Sequence, residues 1–129
     1  MDRNEVIRYW FGTATEDLAV AEHLLQSRDR LWSLFVAHLV VEKALKAAAV
    51  SITGEHAPPI HNLLRLADLA GFGVDEARGD LFAELTRFNI EARYPKDKEG
   101  LRAVDTGDHV EAKWDAVREV LTWIEKGLK

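Results

Sequence analysis

The 129-residue sequence contains no cysteine. That absence excludes disulfides, thiolate catalysis and any zinc or iron–sulfur site built on cysteine. It also fits a cytoplasmic location, which is the expected one. Proline is scarce, at three residues. Pro58, Pro59 and Pro95 therefore stand out as chain breaks. No apolar run is long enough to cross a membrane. The first residues, MDRNEVIRYW, are charged and lack the apolar core of a signal peptide, so none is expected. Internal repeats and low-complexity linkers are missing. So is any alternating pattern of strand length. The sequence has no HExxH, no glycine-rich phosphate loop and no GxSxG. Neither a metal site nor a cofactor is expected.

What remains is a soluble composition, 47% hydrophobic and 30% charged. The length suits one domain, residues 1–129, with a core that needs no staples. Net charge is -5. A molecule of that sign is not a bulk nucleic-acid binder, although a local basic patch is compatible with it.

Helical periodicity dominates. Ile7, Trp10, Ala14, Leu18, Ala21 and Leu25 recur at steps of three and four, forming one helix face. Thr13 and Glu16 resemble a capping box, where the helix is expected to restart. Leu31 to Ile52 is apolar nearly all round, with Glu42, Lys43 and Lys46 its main charges. Such a helix is buried on more than one side, at the centre of the fold or against another subunit. Gly54, Pro58 and Pro59 break the chain. A short helix follows and ends at Gly71. The next helix starts at Asp75 or Asp80 and carries Leu81, Leu85, Phe88 and Ala92. It ends near Arg93, because the residue before a proline leaves the α region. After a polar loop, Asp108 and Glu111 form an acidic cap for a last helix. Its face is Val110, Trp114, Val117, Leu121, Ile124 and Leu128. The expected fold is all-α: an antiparallel four-helix bundle with one additional short helix.

Within this scaffold a few polar positions are candidates for chemistry. Glu42 and Lys46 are four apart on the most apolar helix. An exposed pair of that kind contributes only tenths of a kcal/mol, whereas buried charges demand a partner. Glu42, with Lys43 or Lys46, is thus a candidate site-orienting residue. His61 follows the proline pair and opens a helix, which as a plain structural role would make it a cap. Arg87 and Arg93 lie near the end of the fourth helix, where the dipole favours a cation.

Three segments together resemble a known family. FVAHLVVEKALKAAAV, HNLLRLADLAG and ARYP, in that order, look like the HEPN domain, the higher eukaryotes and prokaryotes nucleotide-binding domain. Phe35 and EKALKA match its second helix, His61 and Leu63 its His-x-Leu element, and Ala92 to Pro95 its Ala-Arg-Tyr-Pro signature. TEDLAVAEHLL fits its first helix. The resemblance covers nearly the whole chain. It implies a helical bundle that dimerises with itself and often pairs with a minimal nucleotidyltransferase, commonly as toxin and antitoxin. It also implies a nucleotide or RNA ligand. Lys43, Lys46, His61, Arg87, Arg93 and Tyr94 would line the groove, with Arg and Lys on phosphate.

Some HEPN proteins are metal-independent ribonucleases, with an arginine followed after four to six residues by a histidine. The histidine would act as acid or base toward the 2′-hydroxyl, and the arginine would hold the phosphate. This sequence departs from the pattern, since no histidine follows Arg87. Arg102 and His109 meet the spacing, but across a loop and a helix start. They are the candidate catalytic residues for such an enzyme. The expectation is a binding module rather than an enzyme, with a purely structural role for the motifs as the remaining alternative.

Overall fold

The computed structural model describes residues 2–91 and 107–128. Five helices account for most of these residues, and none of them forms a strand. They are α1 (Arg3–Gln26), α2 (Arg30–Thr53), α3 (Leu63–Leu69), α4 (Glu76–Glu91) and α5 (Gly107–Gly127). The all-α bundle with one short helix, α3, is the architecture expected from the periodicity.

Helix α1 starts with Asp2 accepting from the Glu5 backbone N–H at 2.8 Å. It does not restart at Thr13. The Thr13 hydroxyl donates back to the Tyr9 and Trp10 carbonyls, so it serves the helix interior instead of capping a new one. The helix closes in a Schellman turn. Arg28 N–H reaches the Leu25 carbonyl at 3.0 Å and Asp29 N–H the Leu24 carbonyl at 2.8 Å. Arg28 takes the left-handed position, φ 65°, that glycine usually fills.

Helix α2 returns antiparallel to α1. Asp17 meets Lys43, and Arg3 donates to the Ser51 carbonyl near the other end. The all-round apolarity of α2 has a simple origin, because the helix packs against all four others. Leu34, Ala37, Val40, Val41, Ala44, Leu45 and Ala47 are fully enclosed. Each large side chain among them contributes about 1.5–3 kcal/mol by leaving water. Of the two sequence alternatives, the centre of the fold is the one that accounts for α2.

Gly54 ends α2 in the left-handed region at φ 73°. Helix α3 is capped by Asn62, whose side chain accepts from Arg65 N–H, so the cap is not His61. It ends in a second Schellman turn at Gly71, φ 79°, with Phe72 N–H on the Ala67 carbonyl. Asp75 begins α4, its carboxylate accepting from Arg78 N–H at 2.8 Å. Leu81, Phe82, Leu85 and Phe88 face the core; Ala92 lies outside the described residues. Helix α5 begins at Gly107, which places Asp108 inside the helix rather than before it. Its buried stripe is Val110, Trp114, Val117, Val120 and Ile124. Leu121 and Leu128 are half-buried against the same core.

Candidate functional site

His38, Glu42 and Lys46 stand four residues apart on α2, one above the next on a single face. All three are buried, at 0%, 5% and 6% exposure. Two ionic side chains inside the central helix require mutual neutralisation, and the geometry supplies it. Lys46 Nζ donates to Glu42 Oε2 at 3.1 Å. The Trp10 ring of α1 covers the same ammonium, its centroid 5.3 Å away. A cation over an indole face gains about 0.5–2 kcal/mol, more as water is excluded.

The other Glu42 oxygen is used by the loop between α2 and α3. Pro58 and Pro59 carry that loop back across α2, and the half-buried Ile60 packs on the core. The next residue, His61, is thereby set over Glu42. His61 Nδ1 lies 3.0 Å from Glu42 Oε1. A carboxylate only accepts, so Nδ1 donates. The His61 backbone is fixed as well, because its carbonyl accepts from His38 Nε2 at 2.8 Å. His38 Nδ1 stands 3.7 Å from Glu42 Oε1. The loop is thus held to α2 through one residue by two contacts, a side-chain bond and a main-chain bond. The His61 side chain nevertheless remains 65% exposed.

A second polar cluster joins α4 to α5. Lys113 Nζ is 2.9 Å from Glu84 Oε1, and His109 Nε2 is 3.8 Å from the same oxygen. Lys113 also donates to His109 Nε2. Lys113 is 6% exposed and lies 5.8 Å from the centre of the Phe88 ring. The Arg87 guanidinium is 5.5 Å from that ring. Leu63 N–H, two residues after His61, reaches the Thr86 hydroxyl at 3.4 Å and links the loop to α4.

The structure therefore sorts the candidate residues. Lys46 and His61 converge on Glu42. Lys43 turns instead to α1, where it pairs with Asp17 at 2.6 Å. Arg87 lies exposed on α4. His109 belongs to the α4–α5 cluster, in the first turn of α5. Arg93, Tyr94 and Arg102 fall outside the described residues. His38, Glu84 and Lys113 went unread in the sequence. The four-residue spacings from His38 to Glu42 and from His109 to Lys113 were the available signals. Among the described residues no group of His, Asp and Glu side chains could hold a metal ion. Nor is any helix among them long and apolar enough to cross a membrane. Clefts among the described residues lie elsewhere: around Arg3 where α1 begins and α2 ends, and between Phe11–Leu18 of α1 and Leu121–Glu125 of α5.

With this geometry in place, the family comparison is decisive. The HEPN domain profile matches residues 7–127. The chain belongs to the HEPN family. Its fold is also that of TT1696 from Thermus thermophilus, whose crystal structure superposes with a TM-score of 0.77 at 24% identity. That match covers 98% of this chain and 99% of the other. At such identity the likeness speaks for the fold alone. No curated protein matches the sequence. As a HEPN domain, this chain places the family's EKALKA segment at the charged, buried middle of α2 and its His-x-Leu element directly over it.

Proposed function

We propose that this HEPN protein is a nucleotide-binding module that works as a homodimer beside a minimal nucleotidyltransferase, as one half of a toxin–antitoxin pair. The observation that carries the reading is His61. An exposed imidazole is anchored by a buried carboxylate, which is itself paired with a buried ammonium. A bundle needs no such arrangement for packing, since apolar residues would serve α2 as well or better. Anchored, exposed polar groups are what a binding surface requires.

The proposed ligand contacts are His61 and Arg87, together with Arg93 and Tyr94, which lie outside the described residues. Lys43 and Lys46 have their charges balanced by Asp17 and Glu42. Arg87 and Arg93 are then the phosphate contacts. A second copy would cover the exposed apolar side chains of α1 and α2, among them Tyr9, Val20 and Trp32. Calorimetry with AMP and ATP tests the ligand, and capture of a nucleotidyltransferase encoded next to this gene tests the partner. Nucleotide binding supports the ligand part and capture supports the partner part; no nucleotide binding overturns the first, and no capture overturns the second. Light scattering of the purified chain should give a dimer, and a stable monomer would contradict that part.

The α4–α5 cluster favours one second reading, a metal-independent ribonuclease. Lys113 donates to His109, and the Glu84 carboxylate stands 3.8 Å from the same ring nitrogen, an arrangement suited to an acid or base. Arg102 would supply the phosphate contact. RNA incubated with the protein should then be cleaved, and His109→Ala should abolish the cleavage. Intact RNA, or cleavage that survives the substitution, would contradict this reading.

A further inference from the structure

The contacts around His61 define more than its position. They define which of its ring nitrogens donates. Glu42 Oε2 is occupied by Lys46 at 3.1 Å, and Oε1 faces His61 Nδ1 at 3.0 Å. With Nδ1 donating to the carboxylate, the neutral ring keeps no proton on Nε2, which is then an acceptor. An exposed histidine ordinarily changes rotamer within picoseconds to nanoseconds. This one is restrained, because Glu42 holds the ring and His38 holds the carbonyl behind it. Among the described residues Nε2 has no hydrogen-bond partner, and the ring is 65% exposed. A buried carboxylate orienting one imidazole nitrogen so that the other can work on a ligand is a recurring device at functional sites.

This changes the class of group that His61 can recognise. A cationic residue would hold phosphate. A neutral imidazole fixed with Nε2 outward accepts a hydrogen bond and therefore selects a donor. We propose that Glu42 and His61 form a dyad that presents Nε2 as an acceptor, and that the group it reads is a ribose hydroxyl of the bound nucleotide. The ligand part of this inference rests on the nucleotide-binding reading above. Among nucleotide donors the hydroxyl fits best. Reading an adenine edge takes a donor beside an acceptor, and His61 offers an acceptor alone. Lys46, the nearest cation to the dyad, is already engaged by Glu42 and Trp10. The sugar then falls to His61.

Two measurements on the full chain separate the dyad from its ligand. Nitrogen-15 NMR of the imidazoles in mildly alkaline buffer reads the tautomer directly. His61 should carry its proton on Nδ1, and the Glu42→Leu/Lys46→Leu double variant should shift it toward Nε2. A wild-type His61 protonated on Nε2 overturns the dyad. The second measurement is calorimetry with AMP and its 2′-deoxy and 3′-deoxy analogues. One deoxy analogue should bind about 2- to 10-fold more weakly than AMP, the range of one net hydrogen bond. His61→Phe, at an exposed position, should bind all three alike. Equal binding of the three by the wild type overturns the ribose assignment. Binding of none overturns the nucleotide reading and the ligand assignment with it, while the tautomer still decides the dyad.

Discussion

Glu42 is the residue whose removal should separate structure from function most clearly. Its carboxylate neutralises Lys46 and orients His61 from inside the central helix. Glu42→Ala leaves an ammonium buried with no counter-charge and should lower stability by about 3–5 kcal/mol in urea titration. Replacing both charges, as Glu42→Leu/Lys46→Leu, should be neutral to stabilising by up to about 4 kcal/mol, because two desolvation penalties disappear together. If the double variant were as unstable as the single one, the charges would be packing elements rather than a maintained site. Ser33 offers a second test at this scale. Its hydroxyl accepts from the buried Trp114 indole N–H at 3.1 Å and donates to the Arg30 carbonyl at 2.7 Å. Ser33→Ala should cost about 1–3 kcal/mol, the penalty of an indole N–H left unsatisfied in the core.

Among the elements, the turn between α1 and α2 invites a change in the opposite direction. Arg28 occupies a left-handed position that costs an L-residue about 1–2 kcal/mol, partly offset by the backbone entropy a glycine would lose. Arg28→Gly should therefore raise stability by up to about 1 kcal/mol in the same titration, and a loss would show that the Arg28 side chain matters to the turn. The helices themselves were legible because burial on one face writes a period of 3.6 into the sequence, most plainly in Val110, Trp114, Val117 and Ile124. Thr13 misled because a threonine three residues before a glutamate looks the same whether its hydroxyl caps a helix or bonds back into one. The site was legible only where it stayed on one helix. Glu42 and Lys46 share a face and could be paired from their spacing. Nothing local could have placed Lys43 on Asp17 or His61 on Glu42. The first pairing depends on how α1 crosses α2, and the second on how two prolines carry a loop back.

For the whole molecule, the important feature is how the interior is used. Helix α2 is enclosed by its own chain, so its apolarity is explained before any partner is invoked. Helix α5 is tied to α1 by a two-pronged pair, Arg118 to Glu22, with both contacts at 3.0 Å. That pair is partly exposed and should contribute about 0.2–1 kcal/mol in a double-mutant cycle, less at high salt. His61 and Arg87, both exposed at the surface, are then candidates for recognition. Chemical-shift mapping tests this most directly: nitrogen-15-labelled protein titrated with AMP, read residue by residue. The account predicts saturable shifts centred on His61, Asn62, Thr86 and Arg87, with the α1 N-terminal clefts around Arg3 unmoved. Shifts confined to those clefts, or no shifts at all, would contradict it.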